Sequence, residues 1–238
     1  MHSCKWWSVF NNYIVGGLLL FVTTPGLAAV NVDRMRVIFA ADEQEQTLNL
    51  SNDSRTPMLL QVWTDNGDPR VTPDQVVTPV VVLPPLFKML PGEIRALRLV
   101  LTTHSDLPDD RESVFWLNVF QMAPMLSDDS SRQEKITLPL RLRLKVFVRP
   151  HDLQAPQPQD EKALRFSLTN GGLNIINPTA WHMSLAVTLP GQPPINNLMV
   201  SPRDGLMVPL VAPVPSGSII HYRVITDDGN FREYQQRL

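Results

Sequence analysis

The sequence predicts an all-β protein built from two β-sandwich domains, and three observations support this class. Its 238 residues give room for one or two domains that each bury a core. The 22 prolines are spread along the chain, and they argue against a helical bundle because proline in a helix interior costs about 3 kcal/mol. Alternation of apolar and polar residues is the dominant periodicity, as expected for strands with one buried face.

The composition also limits the classes of function. Hydrophobic residues make up 43% of the chain and charged residues 18%, which is typical of a folded globular protein and not of a disordered one. The formal net charge is −2, whereas domains that bind nucleic acid are normally basic. We therefore expect no nucleic-acid partner.

Residues 1–28 have the pattern of a secretory signal peptide. Lys5 precedes an apolar run from Ile14 to Thr23, and small residues follow up to Ala28, after which we expect cleavage. The run is shorter than the roughly 20 residues that span a bilayer, and an uncleaved anchor is the alternative interpretation. Cleavage would remove Cys4, the only cysteine, so no disulfide, thiol nucleophile or cysteine-based metal site is expected in the mature chain.

The first predicted domain covers residues 29–150. About seven short strands separated by turn-forming residues fit into this length, which is a spacing typical of a sandwich. The predicted strands are 36–39, 46–50, 58–64, 80–83, 94–101, 113–120 and 136–148, with Val30 and Val32 before the first.

The last of these strands is unusually long. Apolar residues occupy every second position from Ile136 to Val148, and at about 3.3 Å per residue such a strand would span about 43 Å. Pro139 cannot donate a backbone hydrogen bond, which disfavours a central position in a sheet. A long apolar edge is an aggregation hazard, so its presence indicates pairing with another chain. The alternative is that both edges are covered within the domain.

The second predicted domain covers residues 151–238. Pro150 and the polar stretch 154–162 mark the boundary, and no helix longer than a turn is predicted on either side. The predicted strands are 164–169, 173–176, 181–189, 197–200, 205–210 and 218–226. They form a second, smaller sandwich.

The chain carries no motif for catalysis. Four histidines follow the predicted cleavage site, namely His104, His151, His182 and His221. None has metal-site spacing, and there is no Gly-x-Ser-x-Gly elbow or glycine-rich phosphate loop. The group Asp109, Asp110 and Glu112 is best interpreted as a loop with a charge that pairs with a basic residue, and a calcium site or acid–base pair is the alternative. We therefore predict no enzyme activity, no metal and no cofactor.

Four short stretches together match a known family. They are Val-Asp-Arg-Met-Arg at 32–36, Leu-Pro-Asp-Asp-Arg-Glu-Ser-Val-Phe-Trp-Leu-Asn at 107–118, Lys-Val-Phe-Val-Arg-Pro at 145–150 and Asn-Pro-Thr at 177–179. In this order, behind a signal peptide, they resemble the PapD-like periplasmic chaperones of the chaperone/usher pathway, which assemble pili in Gram-negative bacteria. The resemblance covers essentially the whole mature chain.

This resemblance implies a fold and a set of partners. The fold would be two immunoglobulin-like sandwiches set at an angle, with a cleft between the domains. The partners would be fimbrial subunits that lack their last strand and an outer-membrane usher that receives them, and the location would be the periplasm. Free chaperones of this kind would also self-associate weakly.

The resemblance also assigns residues by position. Arg36 and Lys145 would hold the terminal carboxylate of the subunit, while Ile136, Leu138 and Leu140 would be the apolar row donated to its groove. Paired basic donors suit a carboxylate that leaves water, and anchoring the chain end fixes the register of the row.

A charged trio is the second assignment carried by the resemblance. Glu112, Arg149 and Asp227 would tie the two domains together, with a modest contribution if they are exposed. The chain departs from the family where Pro139 interrupts the donor segment and where Met-Ala-Pro at 122–124 replaces an Ile-Pro-Pro turn. The loop 125–133 lacks a cysteine pair, which favours the short-loop subclass.

A competing hypothesis is a secreted immunoglobulin-like binding or adhesion module that uses its loops. In that case changes near Asp109 or Gly171 would matter, and Leu138→Glu would be nearly silent.

Overall fold

The computed structural model describes residues 30–123, 139–169 and 172–238. Within these ranges the chain forms two β-sandwiches and one short helix, which confirms the predicted all-β class. Each sandwich encloses its own hydrophobic core, one from residues 30–148 and the other from residues 164–224. Among the described residues, no helix is long and apolar enough to cross a membrane.

The first domain packs a four-stranded sheet against a five-stranded one. The four-stranded sheet has the order β1-β3-β7-β5, formed by β1 (Asn31–Val32), β3 (Glu45–Ser51), β7 (Ile94–Leu101) and β5 (Val80–Leu83). The five-stranded sheet has the order β2-β9-β8-β4-β6, formed by β2 (Arg36–Phe39), β9 (Leu140–Val148), β8 (Ser113–Met122), β4 (Met58–Asp65) and β6 (Leu86–Met89).

Alternation along these strands builds the core. In β3 and β7 alternate side chains are buried from Leu48 to Leu50 and from Leu97 to Leu101, and Leu48 faces Leu97 directly across the pair. Leu117 of β8 and Leu144 of β9 form a matching buried pair in the opposite sheet. The residues between them point away from this core, as the period of two requires.

The strand β9 has neighbours on both sides for only half of its length. It pairs antiparallel with β8 from Leu140 to Val148, and parallel with the short β2 only from Lys145 to Val148. Among the described residues no strand lies beside Leu140–Leu144 on the side away from β8. The first half of β9 is therefore a sheet edge, while the second half is internal.

The second domain has a three-stranded and a four-stranded sheet. The first has the order β10-β11-β14, formed by β10 (Arg165–Thr169), β11 (Gly172–Asn177) and β14 (Asp204–Val208). The second has the order β13-β12-β15-β16, formed by β13 (Ile195–Val200), β12 (Met183–Thr188), β15 (Ile219–Ile225) and β16 (Phe231–Arg237). Gly172 has a φ of +132°, and a Cβ there would come within 2.2 Å of the Val208 carbonyl oxygen, so only glycine fits.

The connection between the domains contains a helix that the sequence does not predict. The helix α1 (Pro158–Lys162) begins with proline, and the Asp160 carboxylate accepts a hydrogen bond from the Gln157 backbone N–H at 2.7 Å. Glu161 is buried and bonds to Arg232 and Tyr234 of β16. The helix is thereby fixed to the second domain.

Three further differences from the sequence-based expectation concern strands. The strands β6 and β16 are not predicted, because β6 directly follows two prolines and β16 is largely polar. The described part of the long strand begins at Leu140, and Pro139 lies outside it, exposed to solvent. Proline therefore costs β9 no ladder hydrogen bond, while residues 136–138 lie outside the described residues.

Candidate functional site

Two basic side chains meet where the domains face each other. Arg36 begins β2 and Lys145 lies in the middle of β9, and the two residues are direct partners in the parallel pairing of these strands. Side chains at paired positions point to the same face of a sheet, so the two cations lie side by side. They are near the point where the free edge of β9 ends and its pairing with β2 begins.

Arg36 is held between the domains. It is only 9% exposed, and its Nη1 donates a hydrogen bond to the Ile225 carbonyl of the second domain at 3.1 Å. Its guanidinium carbon lies 5.6 Å from the centre of the Phe147 ring. Burial lowers the pKa of Arg36, while the negative charge of Asp227 acts in the opposite direction. The side chain remains a cation, because arginine keeps its proton in proteins.

Lys145 is more strongly perturbed. Its Nζ donates to the Ser184 hydroxyl of the second domain at 2.8 Å and lies 5.6 Å from the centre of the Trp116 ring. Burial and then the positive charge of Arg36 lower the pKa of Lys145 to about 8. Two partly desolvated cations side by side repel each other, and a bound anion would relieve both penalties.

A cleft of about 790 Å³ opens in front of these cations. Both domains line it: Met35 and Trp116 belong to the first, and Leu198 and Phe231 to the second. Its walls therefore combine basic groups with apolar and aromatic surface. This combination suits an anionic group carried by a partly apolar chain.

The charged trio closes the bottom of the junction. Arg149 donates from Nε to Glu112 at 2.9 Å, and from Nη1 and Nη2 to the two carboxylate oxygens of Asp227 at 2.7 and 2.8 Å. Glu112 also accepts a hydrogen bond from the backbone N–H of His182 at 2.9 Å. Arg149 and Glu112 are buried, so removing Arg149 would leave the buried Glu112 carboxylate without the arginine that pairs with it.

The apolar side chains of β9 become progressively more exposed from the end of the strand to its beginning, where one edge of the strand is unpaired. Leu144, Val146 and Val148 belong to the core, and Leu142 packs against it. Leu140, the first residue of the strand, is 51% exposed. The row therefore continues past the domain's own core, which leaves an apolar side chain in solvent beside unpaired backbone groups.

The structure places five of the eight site residues predicted from the sequence at the domain junction, together with hydrogen-bond partners from the second domain. Arg36, Lys145 and the charged trio surround the domain junction, and Leu140 lies farther along β9. Ile136 and Leu138 lie outside the described residues. The second-domain partners of these charges are not predicted from the sequence; they are Ser184, His182 and the Ile225 carbonyl. No local pattern marks them, since they depend on how the domains meet.

The histidines and the acidic loop considered as possible sites in the sequence include side chains that form surface and interdomain ion pairs. Among the described residues, no cluster of three or more histidine, cysteine or acidic side chains has metal-site geometry. His151 pairs with Asp42 at 2.7 Å on the surface, and Asp110 pairs with Arg203 of the second domain. The acidic loop therefore contributes contacts between the domains.

Family comparisons cover both domains. A model described as "Pili and flagellar-assembly chaperone, PapD N-terminal domain" matches residues 29–154. A second, described as "Pili assembly chaperone PapD, C-terminal domain", matches residues 159–236.

Individual proteins give the same result. Chaperone protein FimC of Escherichia coli K12 is 34% identical over 223 residues, covering 91% of this chain and 88% of its own. A chain in the solved complex of Salmonella enterica SafA pilin with the SafB chaperone is 29% identical with a TM-score of 0.74, covering 88% of this chain and 96% of that chain. The periplasmic chaperone SfaE is 27% identical with a TM-score of 0.65, covering 87% and 98%.

Proposed function

The chain belongs to the PapD-like family of pilus-assembly chaperones, and from this premise we propose that the cleft cations and the free edge of β9 together hold a pilus subunit. Arg36 and Lys145 bind the terminal carboxylate of the subunit. The edge Leu140–Leu144 pairs with a subunit strand, and the apolar row fills the groove that the missing last strand leaves. Leu140 belongs to that row, together with Ile136 and Leu138.

The observation that carries this proposal is the position of the two cations at the end of a free strand edge. A chain whose carboxylate lies at Lys145 and whose preceding residues run toward Leu140 has the same direction as β9, so it pairs in parallel. It occupies the line of β2 and ends where β2 begins, at Arg36. One bound group at the chain end then fixes the register of the whole strand.

The two elements make different energetic contributions. Each apolar side chain that becomes buried in the subunit contributes about 1.5–3 kcal/mol. The carboxylate site contributes charge-assisted hydrogen bonds and relieves the repulsion between the cations. We therefore expect the row to provide most of the affinity and the anchor to select the correct alignment.

The same proposal covers location and further partners. Residues 1–28 act as a signal peptide cleaved after Ala28, which leaves an N-terminal domain of residues 29–150 and a C-terminal domain of residues 151–238 in the periplasm. The charged trio Glu112, Arg149 and Asp227 keeps the domains at the angle that forms the cleft. An outer-membrane usher receives the subunit, and no catalysis or cofactor is involved. Without a subunit, two chaperones pair weakly through their edges.

The experiment is co-expression of the chaperone with its subunit and recovery of the complex from the periplasm. Arg36→Ala and Lys145→Ala should each reduce recovery of the subunit strongly while the chaperone stays folded. Arg98→Ala is the matched control, because Arg98 forms only an exposed pair with Glu45 in the other sheet.

Normal recovery of the subunit with both cleft variants would contradict the proposal. If substitutions at Asp109 reduced recovery instead, the loop-binding hypothesis would be supported.

A further inference from the structure

A network of buried polar groups ties β9 to the middle of its sheet, on the face opposite the apolar row. Asp65, at the end of β4, is fully buried, and Nη2 of Arg143 donates to both of its carboxylate oxygens at 2.6 and 2.9 Å. Asn118 of β8 is also fully buried and donates to the same carboxylate at 2.7 Å. The Nε atoms of Arg141 and Arg143 both donate to the side-chain oxygen of Asn118, at 2.8 and 3.1 Å.

Each of the two arginines also stacks on its own tryptophan. The guanidinium carbon of Arg141 lies 4.8 Å from the centre of the Trp63 ring, and that of Arg143 lies 4.7 Å from the centre of the Trp116 ring. We name these positions the Trp63 socket and the Trp116 socket. Both side chains extend over β8 toward β4, away from the free edge of β9. The space beside the edge is therefore left open to another backbone.

The turn after β4 completes the network. The Gly67 backbone N–H donates to Asp65 at 2.6 Å, and Arg141 donates to the Pro69 carbonyl. Gly67 has a φ of +111°, a conformation that other residues adopt only with strain. The carboxylate of Asp65 is consequently fixed by its own turn before it meets the arginines.

The sequence of β9 explains why such a network matters. Leu-Arg-Leu-Arg-Leu at 140–144 repeats every two residues. A slip of one residue would turn the leucines to the wrong face, whereas a slip of two residues would keep every leucine on the core side. The hydrophobic pattern alone therefore does not define the register of this segment against β8.

Only one register places an arginine in both sockets. A shift of two residues in one direction brings Pro139, whose side chain has neither a charge nor a hydrogen-bond donor, to the Trp63 socket. A shift in the other direction puts Lys145 in the place that Arg143 occupies on Trp116 and beside Asp65, where its point charge cannot reproduce the planar guanidinium. Each slipped register therefore loses one of the two arginine sites.

We propose that Asp65 and Asn118 are positioning residues that set the register of β9 by holding Arg141 and Arg143 in the two sockets. A slip of two residues would move Lys145 about 6–7 Å along the strand and away from Arg36. The consequence for subunit binding rests on the proposed function, but the register itself is a property of the free chaperone.

Engineered disulfides measure this register directly. With Cys4, the only cysteine, replaced by Ser, the pair Val119→Cys and Leu142→Cys reports the native register, since these residues are direct partners. The pairs Val119→Cys with Leu140→Cys, and Val119→Cys with Leu144→Cys, report the two slipped registers. In the native register these diagonal pairs lie roughly 7–8 Å apart, too far for a disulfide.

We expect only the native crosslink when Asp65 is present. Asp65→Asn should raise the yield of the slipped crosslinks roughly tenfold to hundredfold, as the loss of a hydrogen bond to a charged group implies. Arg143→Lys should raise the yield of the Val119–Leu140 crosslink, because that slip places Arg141 in the Trp116 socket, and this variant is the test if Asp65→Asn does not fold. Glu45→Gln, which removes an exposed cross-strand pair in the other sheet, is the control and should produce no slipped crosslink.

Native crosslinks alone in the folded Asp65→Asn and Arg143→Lys proteins would overturn the proposal, even if their melting temperatures fell. Because the assay uses the free protein, its result does not depend on whether the chain binds subunits.

Discussion

The binding of a subunit should weaken at alkaline pH because of Lys145. Its pKa of about 8 means that the free protein loses this charge just above neutral pH, whereas an ordinary lysine keeps its charge to about pH 10. The protonated form binds the carboxylate, so the bound complex has the higher pKa and affinity is lost as the pH rises through about 8. Between pH 7 and pH 9 the dissociation constant should rise about tenfold, which corresponds to about 1.4 kcal/mol.

The assay is calorimetric titration of the purified subunit into the chaperone at several pH values between these limits. Lys145→Arg is the matched variant, because arginine does not deprotonate in this range and its profile should be flat. Other groups that titrate are the same in both proteins. Equal pH profiles for the two proteins would refute the assignment of Lys145 as a titrating anchor.

Three further predictions concern stability and the apolar row. Lys145→Met should increase the free energy of unfolding of the free chaperone at neutral pH by about 1–2 kcal/mol, measured by urea denaturation, after discounting for the partial exposure of the side chain. Because burial lowers the pKa of Lys145 only in the folded protein, between about pH 8 and about pH 10.4 the unfolded chain binds one more proton than the folded one, and the wild type should gain stability as the pH rises through this range. If the wild type gained no stability relative to Lys145→Met over this range, burial would not be the cause of the lowered pKa. Arg149→Ala should cost about 3–5 kcal/mol and separate the melting of the two domains into two calorimetric transitions, whereas a single unshifted transition would show that the trio does not couple them. Leu140→Glu should leave the melting temperature unchanged and reduce subunit binding at least tenfold, whereas Ile94→Glu, at a position 74% exposed in the other sheet, should change neither the melting temperature nor subunit binding.

Alternation made the fold class and most strands predictable from the sequence. The sequence predicts Ile94–Leu101 with the bounds that the structure shows, because Leu97, Leu99 and Leu101 alternate along it and are buried in one core. The strand β16 was missed because its side chains are mainly polar and its structure depends on pairing with β15. The turn of helix α1 was missed for a similar reason, since buried Glu161 is stabilised by partners about 70 residues away.

The site residues that lie in a sequence motif could be predicted, whereas those that the second domain contributes through contacts with the first could not. Arg36 and Lys145 were identified from two motifs, and the structure places them at paired positions. Their hydrogen bonds to Ser184 and Ile225 join segments that no periodicity connects. The role of Asp65 was equally invisible, because an aspartate at the end of a strand is normally interpreted as a turn residue.

Pro139 lies outside the strand that alternation predicts to contain it. Uninterrupted alternation predicted one strand from residue 136 to residue 148, with proline inside it and one backbone hydrogen bond missing. The structure begins β9 immediately after the proline, so the described ladder needs no donor there. Alternation shows which face a side chain prefers, but pairing with a neighbour decides where a strand begins.

Hydrogen exchange of the backbone amides in the segment Leu140–Leu144 tests whether a subunit strand pairs with the free edge of β9. In the free chaperone, the amides of this segment that do not bond to β8 face solvent and should exchange quickly. On formation of the complex they should become protected, because the subunit strand pairs with this edge. Unchanged exchange at Leu140–Leu144 in a complex that protects the loops instead would contradict strand pairing as the basis of recognition.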